Sequence, residues 1–153
     1  MTLSSATIAT AIAALSITGV TIKDADEIPE TVNARDCPLL FPSPDAWLGG
    51  ANMEPSDGPT TFGTATTRYW IINRSYRYVY LHEVVGATRG LKDVIGAMAT
   101  KADAIIEALC EMDVTDVDVQ SVNTGEFGVL EDPAGKAYFG FTVTITMRER
   151  INA

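Results

Sequence analysis

Ala137-Tyr-Phe-Gly-Phe-Thr-Val-Thr-Ile-Thr-Met-Arg148 decides how the chain folds. Phe139, Phe141, Val143, Ile145 and Met147 recur at every second position, with Tyr138, Thr142, Thr144, Thr146 and Arg148 between them. Successive side chains of a strand point to opposite faces, so this run predicts a strand with one packed and one polar face. Upstream, Asp132-Pro133-Ala134-Gly135 is a turn signal. Asp116 to Val122 then reads as the other arm of a hairpin.

The packed face needs a cover, and residues 90–112 supply one. Leu91, Val94, Ile95, Met98, Ala102, Ile105, Ile106, Leu109 and Met112 draw one apolar stripe at helical spacing. Lys92, Lys101, Asp103, Glu107 and Glu111 take the opposite side. Ile105 and Phe141 are expected to be buried where helix meets sheet. A shorter helix is expected over 4–16, from Ile8, Ala11, Ile12 and Leu15, with a short strand at 18–23. The charged stretch 24–36 reads as a surface loop. Cys37 to Pro42 reads as a brief strand near a sheet edge.

Residues 65–85 are rich in Thr, Tyr, Trp, Ile and Val. They read as two strands joined near Asn73-Arg74-Ser75, with one long bent strand as the alternative. Residues 42–66 carry four prolines and four glycines and read as a long irregular loop. The expected fold is therefore α+β. A mixed or antiparallel sheet carries the long amphipathic helix and the short N-terminal helix on one face. The 153 residues suit a single domain.

Acidic residues number 20 and basic residues 11, a formal charge of −9. That charge repels nucleic acid and anionic membranes at long range. The apolar run from Ile8 to Ile17 lacks a positive flank and falls short of the roughly 20 residues a membrane helix needs. No membrane association is expected, and synthesis in the cytoplasm is the default. Cys37 and Cys110 make neither a zinc cluster nor a disulfide framework. Reduced thiols are the default, a bridge stays open, and Cys110 is expected to be a buried helix thiol.

No catalytic constellation stands out, so no enzyme, cofactor or metal is expected. His82 is the one histidine, without a neighbouring nucleophile, and reads as structural. Asp116 and Asp118 read as the solvated face of a strand. Gly58 and Gly63 have phosphate-loop spacing, but Thr64 stands where a lysine is needed.

Residues 68–89 differ from the rest in charge. Arg68, Arg74, Arg77 and Arg89 against Glu83 make a balance of +3, while each flank is −6. Tyr69, Trp70, Tyr76, Tyr78 and Tyr80 interleave with them. Arg, Tyr and Trp are favoured protein-interface anchors. The same residues fit a single-stranded nucleic-acid platform or ordinary cross-strand packing. The expected interface residues are Trp47, Leu48, Met53 and Phe62 of the loop, with Arg68, Trp70, Arg74, Tyr76 and Arg77. Part of the loop is expected to pack on an adjacent subunit or a tail partner. In the plain alternative it folds back over its own domain.

The layout resembles the tail terminator (neck, or head–tail joining) proteins of long-tailed bacteriophages. The resemblance rests on the N-terminal helix, Pro-Leu-Leu-Phe-Pro at 38–42 and the aromatic stretch at 68–81. It continues through Leu-His-Glu-Val-Val-Gly at 81–86, which leads into the long helix, and Tyr-Phe-Gly-Phe-Thr-Val-Thr-Ile-Thr at 138–146. It implies a ring, commonly a hexamer, seated on the tail tube at the head–tail junction of the virion after assembly in the host cytoplasm. The implied partners are further copies of the chain, the tail tube protein and a head-completion or connector protein. DNA would pass through the lumen without specific recognition. The competing readings are a nucleic-acid-binding module using the Arg/aromatic hairpin at 68–81, and a small enzyme with His82 and distant carboxylates.

Overall fold

The computed structural model describes residues 5–55, 69–86 and 88–152. Among the described residues, two α-helices, α1 (Ser5–Ala13) and α2 (Leu91–Cys110), accompany six strands. The strands are β1 (Thr21–Ile22), β2 (Leu39–Pro42), β3 (Leu48–Pro55), β4 (Tyr69–Val84), β5 (Val117–Glu131) and β6 (Ala137–Asn152). They form one mixed sheet, so the class is α+β, as the sequence predicts. The order is β1-β2-β4-β6-β5, with β3 also paired to β4. Among the described residues, only the short β1–β2 pairing is parallel.

The sheet is built around β4 and β6, which pair from Tyr69↔Asn152 to Val84↔Tyr138. Their alternation sets the core. Tyr76, Tyr78 and Tyr80 on β4 share a face with Phe139, Phe141, Val143, Ile145 and Met147 on β6. Ile8 and Ile12 of α1, and Val94, Met98, Ala102, Ile105 and Leu109 of α2, complete the same cluster. Ile105 and Phe141 are both fully buried, as expected. Gly140 is required where β6 crosses β4, because a Cβ there would overlap the Tyr80 carbonyl oxygen.

The other face is not uniformly polar. At one end, Val32, Leu39, Phe41, Leu81 and Tyr138 form a second apolar cluster. The segment read as a surface loop thus lays Val32 onto the sheet. The Tyr138 hydroxyl donates to the Val32 carbonyl at 2.5 Å, and the Val32 N–H donates to the Asp132 carboxylate at 3.1 Å. Asp132 also accepts from the backbone of Ala134 and Lys136, closing the β5–β6 turn. Burial alone would raise its carboxyl pKa; those three N–H donors and the charge of Lys136 outweigh burial and hold it below the usual value.

Four expectations are corrected. Residues 69–84 are one strand, the alternative reading of this stretch, with no turn at Asn73-Arg74-Ser75. The interval 42–66 is not a loop throughout. Leu48–Pro55 is a strand because β4 offers a partner edge whose pairing overrides the local Gly and Pro preference. Residues 56–66 lie outside the described residues. Cys110 is exposed, one helical step from buried Leu109. Asp116 precedes β5 in a positive-φ conformation (64°), so it does not share a strand face with Asp118. Both cysteines are free, and burial pushes the Cys37 thiol up to about 11.

Candidate assembly interface

β2 and β3 lie on the same flank of β4 and are almost one strand. β2 pairs with Tyr78 to Leu81, and β3 with Trp70 to Tyr76. They break around Arg77, whose carbonyl accepts from Ser43 N and whose N–H donates to the Trp47 carbonyl, both at 2.9 Å. The intervening residues turn Trp47 inward. Its half-buried indole packs against the core, with its ring 6.1 Å from that of Tyr76. Trp47 is therefore mainly part of the domain's own packing, which is the plain alternative for this residue.

β3 leaves the core beyond that point. Leu48 is 50% exposed and Met53 55% exposed. Met53 pairs with Ile72 and Ala51 with Arg74, so their side chains lie on the helix-bearing face. On the reverse face, Glu54 accepts from Asn73 at 3.1 Å and lies 3.7 Å from Arg148. Among the described residues, no strand pairs with the outer edge of β3.

The arginine-aromatic stretch does not form one surface. Even-numbered residues of β4 face the core, so Arg74 is only 7% exposed and Tyr76 fully buried. Neither is a surface anchor, contrary to expectation. Arg74 donates to Ser5 Oγ, and to the Tyr76 hydroxyl oxygen at 3.5 Å. Tyr76 in turn donates to Glu149 Oε2 at 3.0 Å. Glu149 is 2% exposed, so this cluster places opposite charges in the core and ties α1 to the sheet. Burial raises the Tyr76 pKa, with Ser5 and Arg74 opposing and Glu149 adding to the rise.

Arg77 points to the opposite face and pairs with Glu126 at 2.9 Å. Trp70, near the start of β4, is half-buried. Arg68 and Phe62 lie outside the described residues. With Tyr76, Tyr78 and Tyr80 buried, three of the five aromatics are withheld from any base-stacking platform.

His82 lies 2.7 Å, through Nδ1, from the Tyr80 hydroxyl. Burial lowers its pKa, with Glu83 opposing and Lys101 and Arg89 adding to the fall. A cleft of about 420 Å³ lies at the far end of the sheet, lined by Asp113, Asp116, Asp118, Arg148, Glu149 and Arg150 among others; His82 is not in it. Arg150 pairs there with Asp116 at 3.0 Å. No helix among the described residues is long and apolar enough to cross a membrane.

The second free edge escaped the sequence reading. β5 is 15 residues long and, among the described residues, pairs only with β6. Val117, Val119 and Val122 are half-buried along it, and Phe127 and Val129 are exposed further on. The valine alternation was visible at 117–122, but nothing in it told an edge strand from an interior one. No protein-family model matches the chain, and no curated protein matches it.

Proposed function

We propose that this protein is a structural virion subunit that assembles into a ring at the head–tail junction of a long-tailed phage, capping the tail tube and joining tail to head. One observation carries the assembly part of this reading. β3 extends beyond the domain's own core and holds Leu48 and Met53 half in water, on an edge no described strand pairs. An open apolar edge is a template for another chain unless it is protected. Neither β3 nor β5 contains the lysine that commonly protects such edges. The place in the virion rests on the resemblance in layout.

The −9 charge suits a lumen that DNA traverses, because tight binding needs several cations facing phosphates. In this reading the chain carries no catalytic role, and His82 serves the Tyr80 hydroxyl. The test is electron microscopy of the purified protein, alone and mixed with the tail tube protein encoded in the same gene cluster. Rings, and tubes capped at one end, are expected. Tubes of unlimited length with the protein left unbound would overturn the assignment.

A further inference from the structure

The two edges that no described strand pairs lie on opposite sides of one sheet, and their strand directions are complementary. β3 runs antiparallel to β4, β4 to β6, and β6 to β5. β3 and β5 therefore run in opposite directions. A second copy in the same orientation, with its β3 beside β5 of the first, continues the antiparallel alternation and keeps both helix-bearing faces on one side.

The levels match as well. Met53 is level with Ile72, Glu149 and Val117 across the sheet, Asn52 with Asn73, Arg148 and Asp118, and Ala51 with Arg74, Met147 and Val119. With no stagger, Met53 and Ala51 of one copy meet Val117 and Val119 of the next on the helix-bearing face. Asn52 meets Asp118 on the other face, where its amide can donate to the carboxylate. Each strand has its bulge at a corresponding level, between Leu48 and Ala51 and between Val119 and Ser121, so both edges bend in the same place. Glu54, an acid at this contact, already has Arg148 beside it.

We infer that copies of this chain join head to tail, the β3 edge of one docking antiparallel on the β5 edge of the next around Ala51–Met53 and Val117–Val119. The inference rests on the ring reading and deepens it, since a heterologous contact of this kind is what closed rings repeat.

The test is mixed disulfide trapping in a Cys110→Ser background, run where native mass spectrometry of the unmodified chain shows assembled species. Cys37 is retained, its raised pKa keeping it a thiol. Asn52→Cys and Asp118→Cys are both exposed sites. Either variant alone should stay uncrosslinked on mild oxidation. Their equimolar mixture should give a single dimer band, and the double variant a ladder ending at the ring number. Met53→Lys should abolish assembly while unfolding at the same midpoint as the wild type at concentrations where the wild type is dissociated. An assembling chain with no mixed product, or single variants that crosslink as well as the mixture, overturns the edge contact and leaves the ring standing. A wild-type chain that never assembles, with or without tail tubes, removes the ring and the edge contact together.

Discussion

β2 and β3 hydrogen-bond to the same flank of the same strand, yet they serve different ends. All four residues of β2 are buried, with Leu39 and Phe41 in one apolar cluster and Leu40 in the other. β3 leaves Leu48 and Met53 50% and 55% exposed, with no described element packed over them. Backbone pairing alone therefore does not decide what a strand contributes. β2 stabilises this chain, whereas β3 leaves Leu48 and Met53 in water, the surface the proposed contact would bury.

The comparison sharpens into an ordered set of outcomes. Phe41→Ala should cost about 3–5 kcal/mol in denaturant unfolding, because it opens a cavity where the sheet is sealed on both faces. A cost below about 0.5 kcal/mol, typical of exposed sites, would put Phe41 at the surface. Tyr138→Phe should cost on the order of 1 kcal/mol by stranding the Val32 carbonyl that ties the 24–36 segment over β2.

Asp132 holds the same segment through Val32 and adds a dependence on pH. Its carboxyl titrates below the unfolded value, so its contribution is fully present above about pH 4. It is lost as pH falls through the folded pKa. Wild-type stability should therefore drop more than that of Asp132→Asn between pH 5 and pH 2–3, a window set by the ordinary carboxyl range. Parallel curves in urea would show that Asp132 makes no charge-dependent contribution. The smallest stability effect is expected at Leu48→Ser, within about 0.5 kcal/mol of wild type. Its effect on assembly should be large: light scattering checks assembly, and urea unfolding at concentrations where the wild type is dissociated checks stability.

The same comparison shows what was legible beforehand. The β6 alternation and the α2 stripe announce most of the core, because each is long enough to fix one period; Leu91 and Ile95 at the start of the stripe are exposed. β3 was hidden because Gly49, Gly50 and Pro55 carry turn preferences, and only the neighbouring β4 edge makes them extended. Asn73 and Ser75 favour turns, which puts the two-strand reading of 65–85 ahead of the single strand that forms, β4. As one strand, its period puts Arg74 on the face of Tyr76, Tyr78 and Tyr80. The β6 period likewise puts Glu149 on the face of Met147. Both buried charges were therefore written in the alternation, but a charged residue inside an apolar register looks like the end of the strand. Of the residues expected at the interface, Leu48 and Met53 are exposed as that role needs, while Arg74, Tyr76 and Trp47 are used within the domain.

The most direct test of the central claim is native mass spectrometry of the unmodified chain over a range of concentrations, repeated with Leu48→Ser and Met53→Lys. The account predicts one closed species for the wild type, an integral multiple of 16.4 kDa, in the presence of the tail tube protein if not alone. It predicts folded monomers for both variants under the same conditions. A wild-type chain that stays at 16.4 kDa throughout, or variants that assemble as it does, would contradict it.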